Sequence, residues 1–190
     1  MKKALILILA AALLCSCGGN KEWRIHGTVP SDKYEGVFIY LVPEGPHEPK
    51  EVDSCKIENC RFELSGKVQH MAILRMHRYY RENLQELLVA TEPGDINVII
   101  DAESKSWGTP QNDSLQVWKN ATQEYTRNFQ TMYEAGLENS PEIKQLQQDY
   151  FARSREIGHN CGDSSIVGKF MSRYYPEPKI DTSAVPAVFR

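Results

Sequence analysis

The chain has 190 residues, 41% hydrophobic and 25% charged, with a formal net charge of −3. Its basic residues are scattered, and no basic stripe interleaves with aromatics, which excludes the electrostatic footprint of a nucleic-acid-binding protein. Five cysteines, none of them in a Cys-x-x-C pair, do not make a disulfide-framework domain.

In chain order the first feature is an address. Lys2 and Lys3 give a positive start, and residues 4–14 form an uninterrupted apolar run. That run has the length of a signal-peptide core and falls well short of the roughly 20 residues that span a bilayer. The step Leu14-Cys15-Ser16-Cys17 then resembles a bacterial lipobox, with a large apolar residue three places before the modified cysteine and a small one directly before it. Cys17 fits the modified position, whereas Cys15 would have leucines at the two preceding positions. The bland alternative is an ordinary secretory signal cut nearby. The resemblance implies that residues 1–16 are a lipoprotein signal peptide and that Cys17 is the lipid attachment site, with a diacylglycerol thioether and an acylated (palmitate-bearing) amino terminus. Several acyl chains hold a protein on a bilayer far more firmly than one. Residues 17–22, starting Cys17-Gly18-Gly19-Asn20, then form a short tether. Loss of the two lysines with the signal takes the net charge from −3 to −5. Lys21-Glu22 is a meagre acidic signal after the cysteine, so the expected location is the cell envelope, anchored in the outer membrane and facing the periplasm.

Residues 23–106 read as an antiparallel β domain. Strands are expected over residues 23–29, 37–42, 51–57, 61–64, 71–76, 87–91 and 96–101, separated by proline-bearing loops such as residues 43–49 and by the Glu92-Pro93-Gly94-Asp95 turn. Short strands at this spacing point to an antiparallel β-sandwich or a barrel-like sheet. The period then changes. From Asp113 onward Leu115, Trp118, Ala121, Tyr125, Phe129 and Met132 recur at intervals of three or four, which predicts an amphipathic helix. Ser140-Pro141 reads as the cap of a second helix carrying Ile143, Leu146, Tyr150 and Ile157, and Asp163 or Ser164 as the cap of a third. Residues 107–176 are therefore a helical segment packed on the β domain, and residues 177–190 an extended tail. The fold class is α+β.

The stretches RIHGTVP (24–30), FIYLV (38–42), VDSCKIENCRFELSGKV (52–68), LVATEPGDINVII (88–100) and WGTPQND (107–113) resemble a domain of unknown function, number 4369, common in envelope lipoproteins of the Bacteroidetes. In many relatives this domain and its helices precede a thioredoxin-like module, which would begin about where this chain stops at Arg190. The resemblance implies no catalytic residue within the β domain, and the redox chemistry belongs to the module beyond it.

The residues offer little chemistry of their own. Cys55 and Cys60 flank a tight turn. With Glu58-Asn59 as its centre Cys55 faces Phe62, with Asn59-Cys60 it faces Leu64, and both registers keep the two thiols unpaired with each other. A 55–60 disulfide needs a four-residue loop that places Asp53 opposite Phe62 and mixes charge with core. Cys161 reads as lying just before a helix, where a thiolate is favoured, against the bland reading of an inert half-buried thiol. His26, His47, His70, His77 and His159 lack ligand spacing. Glu92, Asp95 and Asp113 read as turn and cap residues rather than acid–base pairs. Tyr79, Tyr80, Tyr125, Tyr133, Tyr150, Tyr174 and Tyr175 either line a groove or anchor helices to the sheet. The expectation is a lipid-anchored envelope protein with a non-catalytic binding or scaffolding role. It has no cofactor and no metal, and its partners are the membrane and an envelope protein. Two rivals stand beside it: an accessory acting in trans on a thioredoxin-like thiol-disulfide oxidoreductase, or the remnant of a truncated fusion to one.

Overall fold

The computed structural model describes residues 21–80 and 83–178. Among the described residues eight strands come first: β1 Trp23–Thr28, β2 Phe38–Pro43, β3 Asp53–Lys56, β4 Arg61–Gly66, β5 Met71–Met76, β6 Leu87–Ala90, β7 Gly94–Ile99 and β8 Lys105–Trp107. Three helices follow: α1 Pro110–Glu134, α2 Pro141–Cys161 and α3 Ile166–Tyr174. Among the described residues no helix is long and apolar enough to cross a membrane.

Alternation along the strands builds a sandwich. One sheet has the order β4-β1-β7-β8 and the other β3-β2-β5-β6, and they do not close into a barrel. Ile25, Leu64, Ile96 and Val98 project from the first sheet, and Ile39, Leu41, Leu74, Leu87 and Val89 from the second, into one shared core. Gly27 gives that core a gap: a Cβ there would lie 1.9 Å from Phe62, whose ring occupies the space. The pairings are antiparallel with one exception, since β1 runs parallel to β7 with Ile25 opposite Ile96. The chain leaves the first sheet after β1, returns for β4, leaves again for β5 and β6, and re-enters at β7. The Glu92–Asp95 turn is therefore a crossing between sheets.

The helices form a third layer on the outer face of the second sheet. Met71 and Ala90 face away from the sandwich core and join Leu115, Val167, Phe170 and Met171 in a second apolar cluster. A buried polar junction fixes this layer. Asn112 is fully buried and completes the free edge of β6: its Oδ1 accepts from the Ala90 N–H at 3.1 Å, and its Nδ2 donates to the Ala90 carbonyl at 2.8 Å and to Thr109 Oγ1 at 2.9 Å. Glu92 Oε1 accepts from the backbone N–H groups of Gln111 (2.7 Å) and Asn112 (3.2 Å), so a carboxylate from the sandwich satisfies the first turn of α1. The side chain of Gln111 donates to Glu92 and accepts from the Val167 N–H of α3 at 3.0 Å. Gly108, at φ +103°, passes so close to β7 that a Cβ would lie 2.8 Å from the Asp95 carbonyl.

Several boundaries differ from the sequence reading. β8 was not foreseen, and it straddles the expected division between residues 106 and 107. α1 starts at Pro110 instead of Asp113, with proline in the first turn, where a missing N–H costs nothing. Ser140 does cap α2, accepting from the Ile143 N–H at 3.3 Å. The cap of α3 is Ser165, whose Oγ accepts from the Gly168 N–H at 2.8 Å, in place of Asp163 or Ser164. Cys161 is the last residue of α2, not a residue leading into a helix, and it packs half-buried against the second cluster.

Candidate functional site

Cys17, the expected lipid site, lies outside the described residues. The other sequence candidates disperse. Asn59 and Cys60 occupy left-handed backbone, at φ +54° and +58°, and Glu58 bridges Arg61, so Asn59-Cys60 is the centre of the turn. Ile57 and Phe62 point into the core, and the Cys55 and Cys60 thiols are free. Burial pushes the Cys55 thiol up, and desolvation with the Glu35 carboxylate does the same for Cys60. Both are held in the thiol form, away from nucleophilic chemistry. His26 bridges Glu63 (3.3 Å) and Asp95 (3.2 Å) on the outer face of the first sheet. His159 bridges Asp163 (2.8 Å) and Glu177 (3.3 Å) at the end of α2. Among the described residues no three His, Cys, Asp or Glu side chains converge as a metal site. Glu92 caps α1, and Asp113 accepts from the Gly108 N–H at 2.9 Å. These carboxylates build the junction.

The aromatic residues do converge. Trp118 meets Phe170 edge-on at 5.9 Å and Tyr175 at 6.3 Å between ring centroids. Tyr175 meets Tyr150 edge-on at 5.6 Å, with their hydroxyls 2.8 Å apart, and Thr122 Oγ1 lies 2.8 Å from the Tyr150 hydroxyl. Tyr150 stacks on Tyr125 at 4.5 Å, and the ladder continues along α1 through Phe129 at 5.9 Å to Tyr133 at 6.4 Å. Burial raises the pKa of Tyr175 and of Tyr125, which keeps both phenols neutral and able to donate.

The ladder changes character along its length. At the Trp118 end it is roofed by α3. Beyond Ala121, α1 has no buried residue, although the helix runs on for about 20 Å. There Phe129 is 36% exposed, Tyr133 57% and, past the helix end, Leu137 42%. α2 covers one flank through Tyr150 and the Arg153–Glu124 ion pair at 3.2 Å. On the same ladder Phe129 and Tyr133 keep exposed ring surface, and exposed aromatic surface among polar residues is a common composition of docking surfaces. The sequence named Tyr125 and Tyr133 as anchors or groove residues and Phe129 as part of the helix stripe, and it missed Leu137. Helical spacing could not have found it, since Leu137 lies past the helix end, after Gly136 at φ +75°.

The family described as a domain of unknown function (DUF4369) matches residues 23–143, which takes in the whole sandwich, α1 and the start of α2. The chain belongs to that family. No curated protein and no solved structure matches it.

Proposed function

We propose that this DUF4369 chain is a lipid-anchored envelope lipoprotein of the Bacteroidetes type, tethered through Cys17, whose role is to bind another envelope protein without catalysis. The supporting observation is the exposed apolar surface of Phe129 and Tyr133 on the last turns of α1 and of Leu137 just past its end. Exposed aromatic side chains on a helix are suited to burial in a partner, and aromatic anchors of this kind dominate binding energy. The Cys55 and Cys60 thiols are pushed up, and the carboxylates of the junction are consumed by backbone groups, so a binding role uses what the molecule leaves available. An outer-membrane anchor facing the periplasm places this surface among soluble and membrane-bound envelope proteins.

A photo-crosslinking residue at position 133 in the anchored protein tests this. The reading expects a discrete adduct in the native envelope, absent when the same probe sits at Lys33 on the sandwich. It also expects Phe129→Ser to weaken capture. Equal and diffuse labelling from both positions rejects it. The anchor has its own test: a palmitate analogue should label the wild type and not Cys17→Ala.

A further inference from the structure

A separate concavity opens where α1 crosses the edge of the sandwich. It is a cavity of about 210 Å³ with a floor of Leu87, Leu88, Leu115 and Trp118. The Lys119 amine stands on its wall and donates to the Ser104 carbonyl. Glu86 lines the same space, and Glu103 and Lys105 are close enough to act on the amine. A largely apolar pocket with one reactive polar group on its wall is the usual form of a small-molecule site.

We propose that this cavity takes up small aliphatic aldehydes and that the Lys119 amine forms a reversible imine with the carbonyl carbon. Two features select this class. The neighbouring Glu86 and Glu103 disfavour an anionic ligand, whereas a neutral carbonyl compound meets no repulsion. The apolar floor suits a short alkyl chain, which brings its carbonyl end to the amine. Burial supplies the reactivity: it pushes Lys119 down to about 8, against a partial offset from Glu103, so a usable fraction is neutral near pH 7. In the step, the nitrogen lone pair forms the N–C bond as the carbonyl π pair moves to oxygen. The oxygen is protonated and the nitrogen loses a proton, giving a carbinolamine. Departure of that hydroxyl with the second nitrogen proton, as water, leaves the C=N bond. No oxidant or reductant is consumed, and hydrolysis reverses the step.

The test uses the folded chain with hexanal and cyanoborohydride, which traps an imine as a secondary amine, read by peptide mass spectrometry. Lys119 should be alkylated about tenfold faster than the exposed Lys33 and Lys67 at pH 7, because burial in the cavity holds its amine at about 8. Its rate should saturate with hexanal concentration and rise with pH to a midpoint near 8. Lys119→Arg should remove the saturable component and leave the other lysines unchanged. Labelling of Lys119 no faster than at Lys33, or a rate linear in hexanal, overturns the proposal, and both readings come from the unsubstituted protein.

Discussion

Cys60 occupies a backbone position that β-hairpins normally give to glycine. An L-residue in the left-handed region costs about 1–2 kcal/mol, and a two-residue turn with both centres there prefers Asn-Gly. Here the turn is held from outside: the Glu35 carboxylate accepts from the Asn59 N–H at 3.0 Å and from the Cys60 N–H at 2.6 Å. Cys60→Gly should therefore stabilise the protein by about 1 kcal/mol, seen as a rise of roughly 2–4 °C in Tm. The sequence left two registers open for this turn, and both satisfied the apolar pattern. What decides between them is a carboxylate 24 residues before Asn59 in sequence. His159 offers a second test at this scale. Its pKa is raised, first by the hydrogen bond to Asp163 and then by that to Glu177. A raised folded-state value means stability fully present below the ordinary value of 6.5 and lost as pH climbs through the folded value. The Tm advantage of wild type over His159→Gln should thus be largest below 6.5 and fade above it. A difference that does not change with pH would mean that the two carboxylates do not hold the charged ring.

α1 divides into a half docked on the sandwich and a half covered only by α2, and substitutions should respect that division. Trp118 is half-buried between Phe170 and Tyr175, so Trp118→Ala should cost about 1–3 kcal/mol, below the 3–5 of a fully buried indole. Tyr133→Ser lies at the exposed end of the ladder and should move stability by no more than about 0.5 kcal/mol, whereas Phe129→Ser, whose ring is largely covered, should cost about 1–2 kcal/mol. Denaturant melts of the three variants measure this directly, and a large loss at Tyr133 would mean that its ring is already packed. Helical spacing made α1 legible, including which side chains share its face. It did not show where the face stops being covered, because that depends on how far the sandwich extends beneath it. β8 escaped for a different reason: it has three residues, and its inward side chain is Ser106, so no apolar alternation marks it. The direction of β7 was equally hidden, since alternation is the same in parallel and antiparallel pairing.

The sandwich and helices share one polar junction, and the stretches that carry it are two of those that marked the family: ATEPGD at the end of β6 and GTPQND at the start of α1. In sequence they looked like separate turns. In the fold they interlock, with Asn112 finishing the edge of β6 and Glu92 finishing the start of α1. No period or spacing announces a buried asparagine whose partners are backbone groups of a strand. Asn112→Ala leaves the Ala90 N–H and C=O buried and bare, and each such group costs about 1–3 kcal/mol. The described residues then read as one cooperative unit with the end of α1 standing beyond the sandwich, and the proposed binding role rests on that geometry. Native-state hydrogen exchange tests this most directly. The account predicts that amides of Leu115 and Ala121 open with the same free energy as those of Ile25 and Leu74, while those around Tyr133 open at lower cost. If the whole of α1 exchanges through its own low-energy opening with the sandwich still protected, the helices are an independent appendage and the account is wrong.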